Sequence, residues 1–197
     1  GPEYAGEFIK RINEKGIEYK AGTTVLNIDA FPTRGVTAVN STEGLMQISC
    51  KSIILAMGCR ERSAGALPIA GTRPAGVITA GTAQKLINID GYHVGNTFII
   101  LGSGDIGLIM ARRLTLEGAE VIGVYEAKST PSGLTRNIAQ CLHDFSIPLH
   151  LSRTVTRIYG DDRVEGVEIS EVDESMKPVP GTGKRVDCDG VILSVGL

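Results

Sequence analysis

The chain has 197 residues, of which 42% are hydrophobic and 21% charged, with a formal net charge of −2 at pH 7. This length allows one large domain or two small ones with a true core. The nearly neutral charge argues against a nucleic acid or a membrane surface as partner, and charged residues or glycines interrupt every apolar run before membrane-spanning length.

The first fifty residues have the pattern of one helix followed by a small antiparallel sheet. Residues 3–15 place Phe8, Ile9 and Ile12 on one face of the predicted helix. Short strands are predicted at 17–19, 24–29, 34–40 and 45–50. The continuous apolar run at 52–58 then predicts a strand that is buried on both faces.

The composition changes between residues 58 and 81, where glycines alternate with prolines. Arg60, Arg62 and Arg73 lie in this stretch, and they could bind a cofactor phosphate or keep the segment solvated. The pattern predicts a linker rather than a core element, followed by a short helix at 83–89.

A strand, a glycine-rich turn and a helix follow one another at 97–117. The apolar strand 97–101 leads directly into a GxGxxG motif at 102–107. In such a motif Gly102 permits the tight turn, Gly104 lets a pyrophosphate approach the backbone, and Gly107 lets the helix pack closely on the strand.

The helix after this turn, predicted at 105–117, would direct its first N–H groups and its dipole at the phosphates. Its apolar stripe is predicted at Ile106, Ile109, Met110 and Leu114. Because the carboxylate of Asp105 would repel a phosphate, we expect that side chain to point away while its N–H serves the ligand.

Glu126 ends the next predicted strand, about twenty residues beyond the last glycine of the motif. A carboxylate at this place can accept hydrogen bonds from the adenosine ribose, whereas it would repel the 2′-phosphate of NADP. No arginine follows Glu126 until Arg136, so the pattern favours NAD, and Lys128 is the one nearby cation that could instead pair with a phosphate. The predicted dinucleotide contacts are Gly102, Ser103, Gly104, Asp105, Ile106, Gly107 and Glu126.

The remainder of the chain predicts a helix and a series of strands. The helix covers 134–145, strands follow at 147–151, 154–159 and 163–172, and a polar excursion at 173–184 precedes a last buried strand at 190–196.

The end of the chain repeats its beginning. Residues 24–28 match 154–158, and residues 53–58 match 191–196, which indicates two copies of one unit. The GxGxxG motif precedes the second copy, and its counterpart in the first copy would lie before Gly1. We therefore expect a truncated chain with three parts: the back half of an FAD-binding domain at 1–58, a linker at 59–82 and an NAD-binding domain at 83–197.

This order of motifs resembles the pyridine nucleotide–disulfide oxidoreductase superfamily of flavoproteins. The resemblance rests on Ile-Leu-Ala-Met-Gly at 54–58, the GxGxxG motif, Glu126 and Ile-Leu-Ser-Val-Gly at 192–196. Stretches 58–62, 72–77 and 136–145 look like the branch of FAD/NAD subunits of opine and sarcosine oxidases, hydrogen cyanide synthase and anaerobic glycerol 3-phosphate dehydrogenase-type systems.

The resemblance implies an α/β, Rossmann-like FAD/NAD(P)-binding fold with a small antiparallel β layer, containing one complete nucleotide-binding domain and part of a second. It implies FAD and NAD as cofactors and hydride transfer between them. Ala56 and Gly58 would lie near the flavin, although Met57 replaces the usual threonine, and Gly196 would lie where the chain returns to the FAD domain. The fragment alone is expected to be inactive and to hold little flavin.

Two other functions stay open at this point. The chain could be a structural or regulatory NAD-binding module, or it could be the FAD/NAD subunit of an amine, amino-acid or polyol dehydrogenase complex whose partner is a second enzyme subunit. The four cysteines show no CxxC or metal spacing, and the histidines show no ligand spacing. We therefore predict no metal site, an inert Cys59 and a reduced, cytoplasmic protein.

Overall fold

The computed structural model describes residues 2–30 and 34–196, which form two compact units divided between Met57 and Gly58. The terminal residues of the predicted domains, Gly1 and Leu197, lie outside the described residues. The predicted α/β class, with a parallel sheet and separate antiparallel strands, is confirmed.

The first unit contains one helix and one antiparallel sheet. Helix α1 (Pro2–Glu14) precedes strands β1 (Thr24–Asp29), β2 (Gly35–Asn40) and β3 (Gly44–Ser49), which pair in chain order. The side chain of Asn40 closes the turn between the last two strands, because its Oδ1 accepts hydrogen bonds from the N–H groups of Thr42 and Glu43 at 3.0 and 2.6 Å. The predicted strand at 17–19 is wrong, since these residues form no strand.

The prediction of a buried strand at 52–58 is also wrong. These residues adopt no regular structure, and the side chains of Ile54 and Met57 are 91% and 79% exposed. A strand buried on both faces needs neighbouring strands at its edges and packed layers on its faces. Among the described residues no strand pairs with this run, so its apolar character alone does not bury it.

The second unit is built on a five-stranded parallel sheet. Its strands are β5 (Val77–Thr79), β6 (Thr97–Leu101), β7 (Glu120–Glu126), β8 (Leu149–Leu151) and β12 (Gly190–Leu193), in the spatial order β5-β12-β6-β7-β8. Helices α2 (Ala80–Asn88), α3 (Asp105–Leu116) and α4 (Thr135–Cys141) belong to this unit. Because alternate side chains of a strand point to opposite faces, Phe98 and Ile100 join the cluster of the helices, and Ile99 and Leu101 join a second cluster.

The second cluster is completed by a four-stranded sheet. Its strands are β4 (Ala70–Gly71), β9 (Arg153–Tyr159), β10 (Gly166–Glu171) and β11 (Lys184–Asp187), in the order β11-β10-β9-β4. The inward residues Val155, Val167 and Ile169 pack against Ile99 and Leu101. The central strands β6 and β12 are therefore covered on both faces, as their continuous apolar sequences predict.

Two sequence-based expectations about this unit are corrected. The segment 59–82, predicted as a linker, supplies β4 and the edge strand β5, which pairs in parallel with β12. Helix α3 is confirmed, but Ile106 and Ile109 of its predicted stripe are 44% and 43% exposed. Its buried face consists of Gly107, Leu108, Met110, Ala111 and Leu114, because Gly107 must face the sheet.

None of the helices formed by residues 2–30 and 34–196 combines the length and the apolar character that crossing a membrane requires.

Candidate functional site

The GxGxxG turn lies where β6 and β7 end, at the carboxyl edge of the parallel sheet. Gly102 has φ +99°, and its N–H donates to the carbonyl oxygen of Tyr125 at 2.7 Å. A Cβ at this position would collide with the carbonyl oxygen of Ser194. Both the backbone angle and the close approach therefore require glycine in the first turn.

The other two glycines of the motif have different roles. A Cβ on Gly107 would lie 2.7 Å from Cβ of Ser194 and 2.9 Å from the carbonyl oxygen of Gly102, so this glycine lets α3 pack on the sheet. A Cβ on Gly104 would meet only Ser194, at 3.6 and 3.8 Å, and Gly104 has an ordinary φ of −65°. Neither packing nor backbone geometry requires glycine at 104, which fits a role in leaving room for a ligand.

Helix α3 begins at this turn without a side-chain cap. Its N-cap residue is Gly104, which has no side chain to accept a bond from the first-turn N–H groups. Such a helix terminus suits an anion, because unpaired N–H groups and the positive end of the helix dipole point at the same place.

Asp105, in the first turn of α3, has its carboxylate engaged away from the motif. Oδ1 accepts hydrogen bonds from the N–H of Leu134 and from Nδ2 of Asn137, both at 2.8 Å. The bond from Leu134 and then the bond from Asn137 lower the pKa of Asp105 below its ordinary value. The carboxylate thus ties the start of α3 to the start of α4, in agreement with the expectation that it would point away.

Glu126 is nearly buried, with 8% of its surface exposed, and its carboxylate accepts four hydrogen bonds. Oε2 accepts from the N–H of Ser103 at 3.1 Å, from Oγ of Ser103 at 2.6 Å and from Oγ of Ser132 at 3.3 Å, and Oε1 accepts from the N–H of Lys128 at 3.0 Å. Burial raises the pKa of this carboxyl, but the hydrogen bonds from Ser103, Lys128 and Ser132 together hold the pKa below its ordinary value.

Ser132 is the residue of this cluster that the sequence did not single out. Its N–H donates to Oγ of Ser103 at 2.9 Å, so the loop after β7 is fixed directly to the glycine turn. The signal that the sequence offers is the Ser-Gly pair at 132–133, which indicates a turn but does not indicate the contact with Ser103.

The ten predicted cofactor residues do not all lie in this cluster. Residues 102–107 and Glu126 share the carboxyl edge of the parallel sheet. Gly196 follows β12 with φ +96°, and its carbonyl accepts a hydrogen bond from the N–H of Arg62 at 3.1 Å. Ala56 belongs to the first unit and Gly58 opens the second, and both are exposed in irregular backbone.

A cavity of about 580 Å³ lies beside the four-stranded sheet of the second unit. Leu101 and Val195, next to the ends of β6 and β12, form part of its wall. Thr156 and Glu168 line it as well, with Oγ1 of Thr156 donating to Oε1 of Glu168 at 3.0 Å. The cavity is thus distinct from the cluster formed by Ser103, Glu126 and Ser132.

The cysteines form no disulfide, and the described residues hold no group of three metal-ligating side chains. Cys59 is exposed, whereas burial raises the pKa of Cys188 to about 11, so that thiol stays protonated at neutral pH.

The profile of the pyridine nucleotide-disulphide oxidoreductase family matches residues 2–197. The chain belongs to this family. Several relatives are similar over most of the chain. One of them, an opine oxidase subunit of Agrobacterium tumefaciens, is 23% identical over 92% of this chain and 38% of its own length. Another, the hydrogen cyanide synthase subunit HcnB of Pseudomonas aeruginosa, is 27% identical over 100% of this chain and 46% of its own length.

Solved structures show the same fold. Thioredoxin reductase of T. acidophilum has a TM-score of 0.68 and 20% identity, over 97% of this chain and 59% of that one. An FAD-dependent pyridine nucleotide-disulphide oxidoreductase from Desulfovibrio vulgaris has a TM-score of 0.65 and 22% identity, over 100% of this chain and 50% of that one. The chain thus spans less than half the length of the two relatives named above and about half to three fifths of these structures.

Proposed function

We propose that this chain is the nucleotide-binding part of a flavin-dependent oxidoreductase that passes a hydride between NAD(H) and FAD. The observation that carries the proposal is the uncapped start of α3 at Gly104, next to the buried carboxylate of Glu126. Membership of the pyridine nucleotide-disulphide oxidoreductase family supports the same conclusion.

The glycine turn fits the pyrophosphate of a dinucleotide. The N–H of Ser103 already donates to Glu126, so the phosphate oxygens would bind the N–H groups that follow it, at the start of α3. A Cβ on Gly104 would make only ordinary contacts with Ser194, and its absence lets the phosphate oxygens approach the backbone closely. When bound, the nicotinamide and the flavin supply the hydride chemistry, and the residues of this chain bind and orient the nucleotide.

Three further residues are proposed to bind cofactor. Ala56 and Gly58 lie on a stretch that resembles the family's Ala-Thr-Gly, and in the whole protein we expect their backbones to pass near the flavin. Gly196 lies on the glycine-containing strand end that resembles the place where the family's chain returns to the FAD domain. No residue of the chain is proposed to act as an acid or a base.

NAD is the proposed nucleotide, because the carboxylate of Glu126 can accept a ribose hydroxyl and would repel a 2′-phosphate. The competing feature is Lys128, whose backbone N–H holds Oε1 of Glu126 and whose ammonium group could pair with a phosphate.

Membership of a larger dehydrogenase complex is the second proposed function. Two relatives are named as subunits, of opine oxidase and of hydrogen cyanide synthase, which supports a partner for this protein as well. We propose a cytoplasmic location, because the four cysteines form no disulfide.

Titration with NADH and NADPH tests the role of Glu126. The informative variant is Glu126→Gln, because alanine would leave the N–H and O–H groups of Ser103 without an acceptor. We expect the wild type to bind NADH at least about tenfold more tightly than NADPH, and Glu126→Gln to lose most of that preference. Glu120→Gln, at the exposed start of β7, is the matched control and should keep the wild-type preference for NADH.

Equal affinities of the wild type for the two nucleotides would contradict this role of Glu126, as would a full preference in Glu126→Gln. Reduction of the bound flavin by NADH in the whole protein separates the oxidoreductase from a module that binds nucleotide without electron transfer.

A further inference from the structure

We propose that Ser132 is a second ribose-recognition residue, which holds one oxygen of Glu126 by its hydroxyl hydrogen and accepts one ribose hydroxyl on its oxygen. This inference rests on the proposed function and names a specificity residue that neither the glycine motif nor the position of Glu126 indicates.

The first argument is the number of hydrogen bonds that Glu126 can still accept. An ionised carboxylate offers about four acceptor sites, two on each oxygen. Oε2 already accepts from the N–H and O–H of Ser103 and lies 3.3 Å from Oγ of Ser132. Among the described residues, the one donor to Oε1 is the N–H of Lys128. Because three donors share Oε2 and one donor lies on Oε1, the acceptor site that is left is on Oε1. The 2′- and 3′-hydroxyls of a ribose, in contrast, bring two hydrogens.

The second argument is the state of the hydroxyl groups beside the carboxylate. Ser103 is fully buried, directs its only hydroxyl hydrogen at Oε2 of Glu126 and accepts the N–H of Ser132 on its oxygen. The hydroxyl of Ser132 lies within reach of two acceptors, Oε2 of Glu126 at 3.3 Å and Oγ of Ser103 at 3.2 Å, and donates to one of them.

The oxygen of Ser132 therefore keeps acceptor capacity, and this residue is exposed to solvent. It can accept the second ribose hydroxyl while its own hydrogen stays on the network. Together, Oε1 of Glu126 and Oγ of Ser132 form a pair of acceptors for a vicinal diol.

This pair of acceptors explains both the binding of NADH and the preference for NADH over NADPH. A doubly ionised 2′-phosphate has no hydroxyl hydrogen to donate, and it would bring a like charge to Glu126. To bind it, Ser132 would have to withdraw its hydrogen from the network. Loss of the Ser132 hydroxyl should therefore weaken the binding of NADH more than the binding of NADPH.

The test compares isosteric variants of the intact chain, Ser132→Thr and Ser132→Val, in titrations with NADH and NADPH and in thermal unfolding. Threonine keeps the hydroxyl and valine removes it at the same volume. We expect Ser132→Thr to keep the wild-type ratio of affinities, and Ser132→Val to bind NADH about fivefold to tenfold more weakly with a smaller change for NADPH. Ser129→Ala, in the same loop, is the control and should behave as the wild type.

A Ser132→Val variant that binds both nucleotides more weakly by the same factor, or binds both unchanged, would overturn the inference, because a merely structural role would not change the ratio. If Ser132→Val fails to fold, Ser132→Ala replaces it with the same expectation. A wild type that binds NADH more tightly while Ser132→Val keeps its ratio would refute only this inference. A wild type that binds neither nucleotide would refute the proposed function together with it.

Discussion

At the scale of single residues, Glu126 combines burial with a negative charge. Burial alone would keep a carboxyl group protonated to higher pH, but the donors from Ser103, Lys128 and Ser132 outweigh it and lower the pKa below its ordinary value of 4.5. The group is therefore ionised at neutral pH, which is the state that a role in ribose recognition needs.

The lowered pKa of Glu126 predicts how stability depends on pH. A carboxyl group whose folded-state pKa is depressed contributes stability above its unfolded pKa and loses it as the pH falls through the folded pKa. We expect urea unfolding to show a stability advantage of the wild type over Glu126→Gln that is constant above about pH 5.5 and shrinks below about pH 4.5. An advantage that grows as the pH falls would mean that burial dominates and that the pKa is raised.

The sequence predicts some residues of the site and misses others, because only some of them are fixed by the spacing within one structural unit. The glycines at 102, 104 and 107 and the acid at 126 follow from spacing, because one strand-turn-helix unit fixes where each of them lies. The contact of Ser132 with Ser103 joins residues 29 positions apart through a loop, and no periodicity encodes such a pair. The exposure of Ile106 contradicts the predicted stripe, because the stripe depends on which face Gly107 turns to the sheet.

At the scale of elements, Asp189 fastens the starts of the two central strands to each other. It directly precedes β12, and its Oδ1 accepts hydrogen bonds from the N–H groups of Asn96 and Thr97 at 3.0 and 2.9 Å, at the start of β6. Its Oδ2 also accepts from Nδ2 of Asn96 at 3.1 Å. This carboxylate thus sets the alignment of the strands that carry the glycine turn and Ser194.

Replacement of Asp189 by alanine should destabilise the second unit. The N–H groups of Asn96 and Thr97 would lose a charged acceptor, and we expect the free energy of unfolding to fall by about 2–3 kcal/mol in chemical denaturation. Asp187→Ala is the matched control two positions away. Within the described part of the chain its carboxylate pairs with the exposed Arg185 alone, so the substitution should leave the free energy of unfolding nearly unchanged. Equal effects of the two substitutions would contradict the role of Asp189.

The same apolar pattern has opposite outcomes in two elements. Residues 190–193 form β12, buried between β5 and β6, as the sequence predicts. Residues 53–58 match this stretch in sequence but are irregular and largely exposed. An apolar run makes burial of a strand favourable. The burial itself depends on neighbouring strands and helices, which come from other parts of the fold. The run alone therefore predicts one strand correctly and the other wrongly.

At the scale of the whole molecule, the two units differ in what they bury. Helix α1 has no buried residue, and Ala38 is the buried hydrophobic residue of the described first unit. The second unit contains both hydrophobic clusters, the glycine turn, Glu126 and Ser132. Nucleotide binding is therefore expected to depend on the second unit.

Titration of the intact chain with NADH, in the wild type and in Gly104→Ala, tests the central claim most directly. An alanine at 104 fits the φ of −65° and makes only ordinary contacts at 3.6 Å or more. Alanine is a poorer N-cap than glycine, so we expect the thermal midpoint to fall by no more than about 4 °C. Its methyl group would fill the space proposed for the pyrophosphate.

We expect the wild type to bind NADH at one saturable site and Gly104→Ala to bind it at least about tenfold more weakly. A wild type without saturable binding, or a stable Gly104→Ala that binds NADH as tightly as the wild type, would contradict the assignment of this turn to the dinucleotide.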